Sequence, residues 1–172
     1  MDELAITVVG HDRPGIIADV AEILAQLALN LTDSTMTRLR GHFAMTLVCA
    51  GGLDPAAVEA ALAPLAAAGE LAVTVRPLRP EAAADFGGVQ HVLNVHGADR
   101  LGIVAGITRV VADFGGNITD LTTRLVDELY VLVAEVDLPS TVDLETVTGA
   151  LREAAEALGV EASLRPVETD LL

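Results

Sequence analysis

The chain has 172 residues, of which 52% are hydrophobic, 20% charged and only 2% aromatic, with a formal net charge of −15. That size and apolar content exclude a disordered tail and call for one ordinary domain or two small ones, cored by Ala, Val, Leu and Ile. The ten basic residues are all Arg, and the acidic excess excludes direct binding to a nucleic-acid backbone or an anionic membrane surface, both of which need a basic face.

In chain order, residues 3–10 (ELAITVVG) read as a strand with Leu4, Ile6 and Val8 on one face. The turn Gly10-His11-Asp12-Arg13-Pro14-Gly15 leads into a helix. Its apolar stripe is Ile16, Ile17, Val20, Ile23, Leu24 and Leu27, opposite Asp19, Glu22 and Gln26. Gly15 is expected in the first turn of that helix, Asp12 as its cap and Pro14 at its first position. Residues 31–39 and 43–50 are β-rich runs joined by Arg40-Gly41-His42, a hairpin connection. In the second run Phe43, Met45, Leu47 and Cys49 alternate with Ala44, Thr46, Val48 and Ala50, so the strand is apolar on both faces. Cys49 is the one cysteine, expected as a buried strand thiol, and it excludes an internal disulfide or a multi-thiolate metal site. An Ala-rich helix follows Asp54-Pro55, with Asp as cap and Pro at the first helical position. Residues 71–77 (LAVTVRP) form a closing strand that Pro77 is expected to stop.

The chain then repeats itself. A shift of 87 positions aligns Gly10, Asp12, Arg13 and Gly15 with Gly97, Asp99, Arg100 and Gly102. The same shift aligns Asn30, Thr32, Asp33 and Thr35 with Asn117, Thr119, Asp120 and Thr122. After two extra residues near Leu138, Val58, Leu62 and Arg76-Pro77 match Val147, Leu151 and Arg165-Pro166. This is an internal duplication, with each copy reading β-α-β-β-α-β. Right-handed crossovers and a central hairpin select an α+β fold: two ferredoxin-like βαββαβ domains in tandem, each an antiparallel sheet in order 4-1-3-2 covered by two helices. The expected domains are residues 1–80 and 90–172. Residues 81–89 form a linker inside a Pro-, Gly- and Ala-rich stretch. The open sheet face or a sheet edge is expected to meet another copy or a second chain.

The repeated turn is the candidate site. A glycine at the start of a helix leaves the free N–H groups uncovered, and these together with the helix dipole favour an anion. The same Asp-Arg-Pro-Gly string also serves as a plain strand-to-helix turn. Asn30, Asp33, Asn117 and Asp120 stand at the starts of the second strands, where carboxylates and amides suit an ammonium group. Asn30 has an alternative as a left-handed residue ending the preceding helix. His11, His42, His91 and His96 lack the spacing of a metal site and read as surface or satisfied polar residues. Glu145, Glu153 and Glu156 read as a solvated helix face. No dinucleotide fingerprint or G-x-S-x-G elbow is present. Neither a catalytic constellation, nor a metal, nor a cofactor is expected.

The run Gly10-His11-Asp12-Arg13-Pro14-Gly15-Ile16-Ile17-Ala18-Asp19-Val20-Ala21, followed by Asn30-Leu31-Thr32-Asp33, resembles the ACT domain over residues 3–78 and 90–168. Two such units resemble the glycine cleavage system transcriptional repressor group. The resemblance implies a regulatory, non-enzymatic protein that binds a small amino acid at an interface formed by the first strand–helix loops. It carries over as contacts Asp12, Arg13, Gly15, Ile16, Asn30 and Asp33, with Asp99, Arg100, Gly102, Ile103, Asn117 and Asp120. Leu101 departs from the proline of the motif. The expected partners are that ligand, a regulatory protein and further copies of the chain, with transcription of amino-acid or one-carbon metabolism as the process affected. The alternative is a ligand-independent dimerisation or scaffold module. With no basic leader and no uncharged apolar span of ~18 residues, the expected location is the cytoplasm.

Overall fold

The computed structural model describes residues 3–69, 71–79 and 88–167. The chain divides into two compact units, Met1–Ala82 and Ala83–Leu172. In the first, the elements are β1 (Glu3–His11), α1 (Ile16–Gln26), β2 (Asn30–Leu39), β3 (His42–Ala50), α2 (Pro55–Gly69) and β4 (Leu71–Leu78). In the second they are β5 (Gly88–Ala98), α3 (Ile103–Asp113), β6 (Asn117–Val126), β7 (Leu129–Pro139), α4 (Leu144–Leu158) and β8 (Val160–Pro166). Each sheet is antiparallel and four-stranded, in the orders β2-β3-β1-β4 and β6-β7-β5-β8. This is the expected 4-1-3-2 arrangement twice.

Period-two patterning sets which face each sheet buries. Leu4, Ile6 and Val8 pair with Cys49, Leu47 and Met45 on the helix-covered face, and all six are buried. Ile16, Val20 and Leu24 of α1 and Val58 and Leu62 of α2 close this core, while Ile17 of the expected stripe stays exposed. The second core repeats the pattern with Leu93, Val95, Ile103, Ile107, Val147 and Leu151. β2 and β6 are edge strands that the helices do not cover, so every residue of β2 except Thr37 is exposed.

Several local expectations change. Gly15 is the residue before α1, at φ 89°, and no side chain caps the helix. Asp12 instead donates its N–H to the Gly41 carbonyl at 3.0 Å, which ties the loop to the hairpin turn, and Pro14 lies outside the helix. The left-handed residue after α1 is Ala28 (φ 55°), matched by Gly115 (φ 71°), so Asn30 is free to open β2. The Leu29 and Gly116 N–H groups reach back to Leu24 and Val111, closing both helices by the same motif. β4 runs through Pro77, which pairs with Leu4, to Leu78. Proline is tolerated there because β4 is an edge. Residues 81–87 of the expected linker lie outside the described residues, and Gly88 and Val89 belong to β5. The hairpin turn is Arg40-Gly41, both with positive φ, the backbone that matches strand twist. Asp54 caps α2 through Ala56 N–H at 2.8 Å, as its position predicts.

Candidate functional site

In the first unit the loop after β1 is held by two ion pairs. Arg13 reaches the Asp19 carboxylate of α1 at 2.9 Å, and Arg38 of β2 reaches Asp12 at 3.4 Å. Neither Asp19 nor Arg38 stood out in the sequence as a site residue, since each reads as one of the charges on the solvent side of its element. The first intrahelical bond is Asp19 N–H to the Gly15 carbonyl at 2.9 Å. The Ile16, Ile17 and Ala18 amides therefore have no intrahelical acceptor, and the positive end of the helix is available to an anion.

The second unit has the same backbone and different chemistry around it. Gly102 takes φ 93°, and Gly106 N–H makes the first helical bond to its carbonyl at 2.8 Å. Position 106 is glycine where the first unit has Asp19, so Arg100 has no such carboxylate; it lies against Gly159, the left-handed residue that ends α4. The Leu158 side chain fills the space over Gly106. Residues 99–105 and Tyr130 line a surface concavity of about 440 Å³. It brings together Asp99, Arg100, Gly102 and Ile103, four of the expected contacts, with the free amides of the first turn of α3. Tyr130 adds a phenol that no repeat pattern revealed, because its counterpart is the buried Phe43.

The other half of the expected site lies elsewhere on each unit. Asn30 shares a rung with Ala50 and Glu3, and Asp33 with Val48 and Ala5, at the far end of the sheet from the loop. At about 3.3 Å per residue, Asp33 is roughly 20 Å from the rung of Leu39, beside which the loop sits. A β-bulge between Leu31 and Asp33 lets residues three apart share one face, so Asn30 and Asp33 both stand on the uncovered side of the sheet. The Thr32 hydroxyl donates to the Val48 carbonyl at 3.1 Å within the bulge. Thr119 does the same to Glu135 at 3.4 Å, beside a bulge between Ile118 and Asp120. The repeated threonine is thus structural. On the second unit, Asn117 and Asp120 pair with Asp137 and Glu135, which concentrates three carboxylates on one face. Asn117 also lines a second concavity of about 540 Å³ with Thr108 and Arg109, and the two concavities meet at Ala105 of α3.

Cys49 is buried in the first core, and burial pushes its thiol up, away from the reactive thiolate. Among the described residues, no group of three or more His, Cys, Asp or Glu side chains could hold a metal, and no helix is long and apolar enough to cross a membrane.

Comparison with known proteins agrees with this architecture. A UPF0237 protein of Methanocaldococcus jannaschii is 41% identical over 71 residues, 41% of this chain and 79% of that protein. A UPF0237 protein of Methanopyrus kandleri has the same identity and coverage. A crystal structure of an unknown protein from Galdieria sulphuraria superposes with TM-score 0.80 and 28% identity, over 97% of this chain and 99% of that one. A protein provisionally assigned as a glycine cleavage system transcriptional repressor shares the fold, with TM-score 0.72 and 21% identity over 96% and 97% of the two chains. The ACT domain family model matches residues 2–76 and again 90–165. With both units matched, the chain belongs to the ACT-domain family as a tandem pair.

Proposed function

We propose that the protein is a non-enzymatic regulator that binds a small amino acid through its first strand–helix loops and changes its association with a protein partner when it does. The observation that carries this reading is the concavity of the second unit. Arg100 and Tyr130 line it together with the amides that open α3, at a glycine with no side chain to obstruct them. Such a constellation suits a carboxylate, and the acidic rungs around Asn117 and Asp120 suit an ammonium.

Because the two halves stand at opposite ends of one unit, the complete site combines the loop of one copy of the chain with a second-strand start of another. The exposed edges supply the means. β2 and β6 carry unpaired backbone and exposed Leu31, Met36, Leu39, Leu121 and Leu125. Two such strands laid antiparallel bring each strand start beside the other copy's loop. A ligand seated there favours the assembled state by its differential affinity, which is the physical content of sensing. The relevant control is transcription of amino-acid or one-carbon metabolism, exerted through a protein partner because the net charge of −15 disfavours DNA.

A thermal-shift screen of the common amino acids, with light scattering to follow assembly, tests the reading. Ligand at ~100 times its Kd adds ~2.7 kcal/mol to stability, which such a screen detects. A ligand-independent scaffold gives constant oligomer size and no shift with any of them.

A further inference from the structure

The sheet of the first unit brings together two histidines that lie 31 positions apart in the chain. His11 ends β1, His42 begins β3, and they are direct cross-strand partners. Their rings stack with centroids 5.0 Å apart and 28° between planes. Both are exposed. The backbone shows why they are so close. Asp12 N–H bonds the Gly41 carbonyl at 3.0 Å on the next rung. In an antiparallel pair, hydrogen-bonded and non-hydrogen-bonded rungs alternate, so His11 and His42 occupy a non-hydrogen-bonded rung, where side chains approach most closely. The β1–β3 ladder runs without a register shift from Glu3 opposite Ala50 to His11 opposite His42, which sets the two rings side by side.

We propose that His11 and His42 form a two-imidazole chelate for a divalent transition metal of the kind that prefers nitrogen ligands: Zn(II), Ni(II) or Cu(II). Rotation about the side-chain bonds turns the two stacked rings so that one nitrogen of each converges on a single ion, with water completing the shell. Imidazole is a borderline ligand suited to these ions and poorly suited to Mg(II) or Ca(II), which take oxygen. The two paired strands lower the ordering cost of holding two ligands at one position. The second unit provides an internal contrast, because the matching rung there is Ala98 and Leu129. The chelate therefore belongs to the first unit alone and stands independently of amino-acid binding. His96 faces Glu161 at 3.3 Å, and His91 is buried against the Val89 carbonyl, so neither joins it.

Titration calorimetry of the whole chain with NiCl2 and ZnCl2, in a non-coordinating buffer, tests this. One ion per chain is expected, with MgCl2 giving no comparable heat. His11→Asn and His42→Asn should each weaken binding by about tenfold or more, and His96→Asn should leave it unchanged. Circular dichroism confirms that each variant keeps its fold. Size-exclusion chromatography should show no metal-induced growth, since one chain supplies both ligands. Equal affinity in wild type and in the His11→Asn/His42→Asn double variant would overturn the assignment, as would binding that appears only with metal-bridged dimers.

Discussion

Two positions that occupy the same place in the two units show how a duplicated fold drifts. In the first unit Leu29 follows α1, and Gly51 follows β3; a Cβ on Gly51 would sit 2.3 Å from the Leu29 side chain. In the second unit the residues are exchanged. Gly116 follows α3, Leu138 lies near the end of β7, and a Cβ on Gly116 would sit 2.8 Å from the Leu138 side chain. One leucine fills one space in each unit, supplied from opposite sides. The loops drifted differently. Arg13 pairs with Asp19, whereas Arg100 lies against Gly159 beside a concavity. Packing volume is kept by compensation because interiors tolerate neither voids nor crowding, and the chemistry around the exposed loops is free to diverge.

Exchanging the paired residues tests the first half of that comparison most severely. Leu29→Gly should cost at least about 2–5 kcal/mol by opening a cavity. Gly51→Leu alone should cost about 1–3 kcal/mol by crowding. The double variant Leu29→Gly/Gly51→Leu imitates the second unit and should recover much of the combined loss in denaturant unfolding. Strictly additive costs would show that the two sites do not share a space.

Next come the glycines that start α1 and α3. Gly15→Val and Gly102→Val force a β-branched residue to positive φ, at a cost of about 1–3 kcal/mol. An added Cβ meets nothing closer than 3.8 Å at Gly15 or 4.0 Å at Gly102, so the two losses should be alike and mainly backbone in origin. A much larger loss at one site would mean the loops differ in packing as well as in charge.

The ion pair contrast is smaller. Arg13 and Asp19 are each more than a third exposed, so Asp19→Ala should cost less than about 1 kcal/mol and less still at high salt. The smallest effect belongs to the cap of α4. Asp143 accepts from the Thr146 hydroxyl and N–H, and these bonds hold its carboxyl below the usual value. A lowered carboxylate pKa adds stability that is present above the unfolded value of ~3.9 and lost as pH falls through the folded one. Asp143→Ala should therefore lower Tm slightly at neutral pH. That difference should shrink below about pH 4.

The fold was legible because periodicity and an internal repeat reinforce each other. Leu4, Ile6 and Val8, and then Leu93 and Val95, mark the buried faces without ambiguity. The helix starts were harder. Asp12 has the chemistry of a cap, but the glycine after Pro14 turns left-handed and takes the position, leaving Asp12 to meet Arg38 and the hairpin turn. The candidate site was legible as residues and not as a place. Asn30 and Asp33 share a face because of a bulge that no hydrophobic pattern announces, and their distance from the loop follows from strand direction. The His11–His42 contact depends on register and was hidden for the same reason.

Calorimetry with the amino acid that gives the largest thermal shift tests the central claim most directly. It is run on the wild type and on the Arg100→Ala, Asn117→Ala and Asp120→Ala variants, each checked for folding. Each replacement removes a hydrogen bond to a charged group, worth ~1.5–3 kcal/mol, so each should weaken binding roughly ten- to hundredfold. Unchanged affinity in all three, or no heat with any amino acid, would contradict the account and leave the repeated loop as a structural turn.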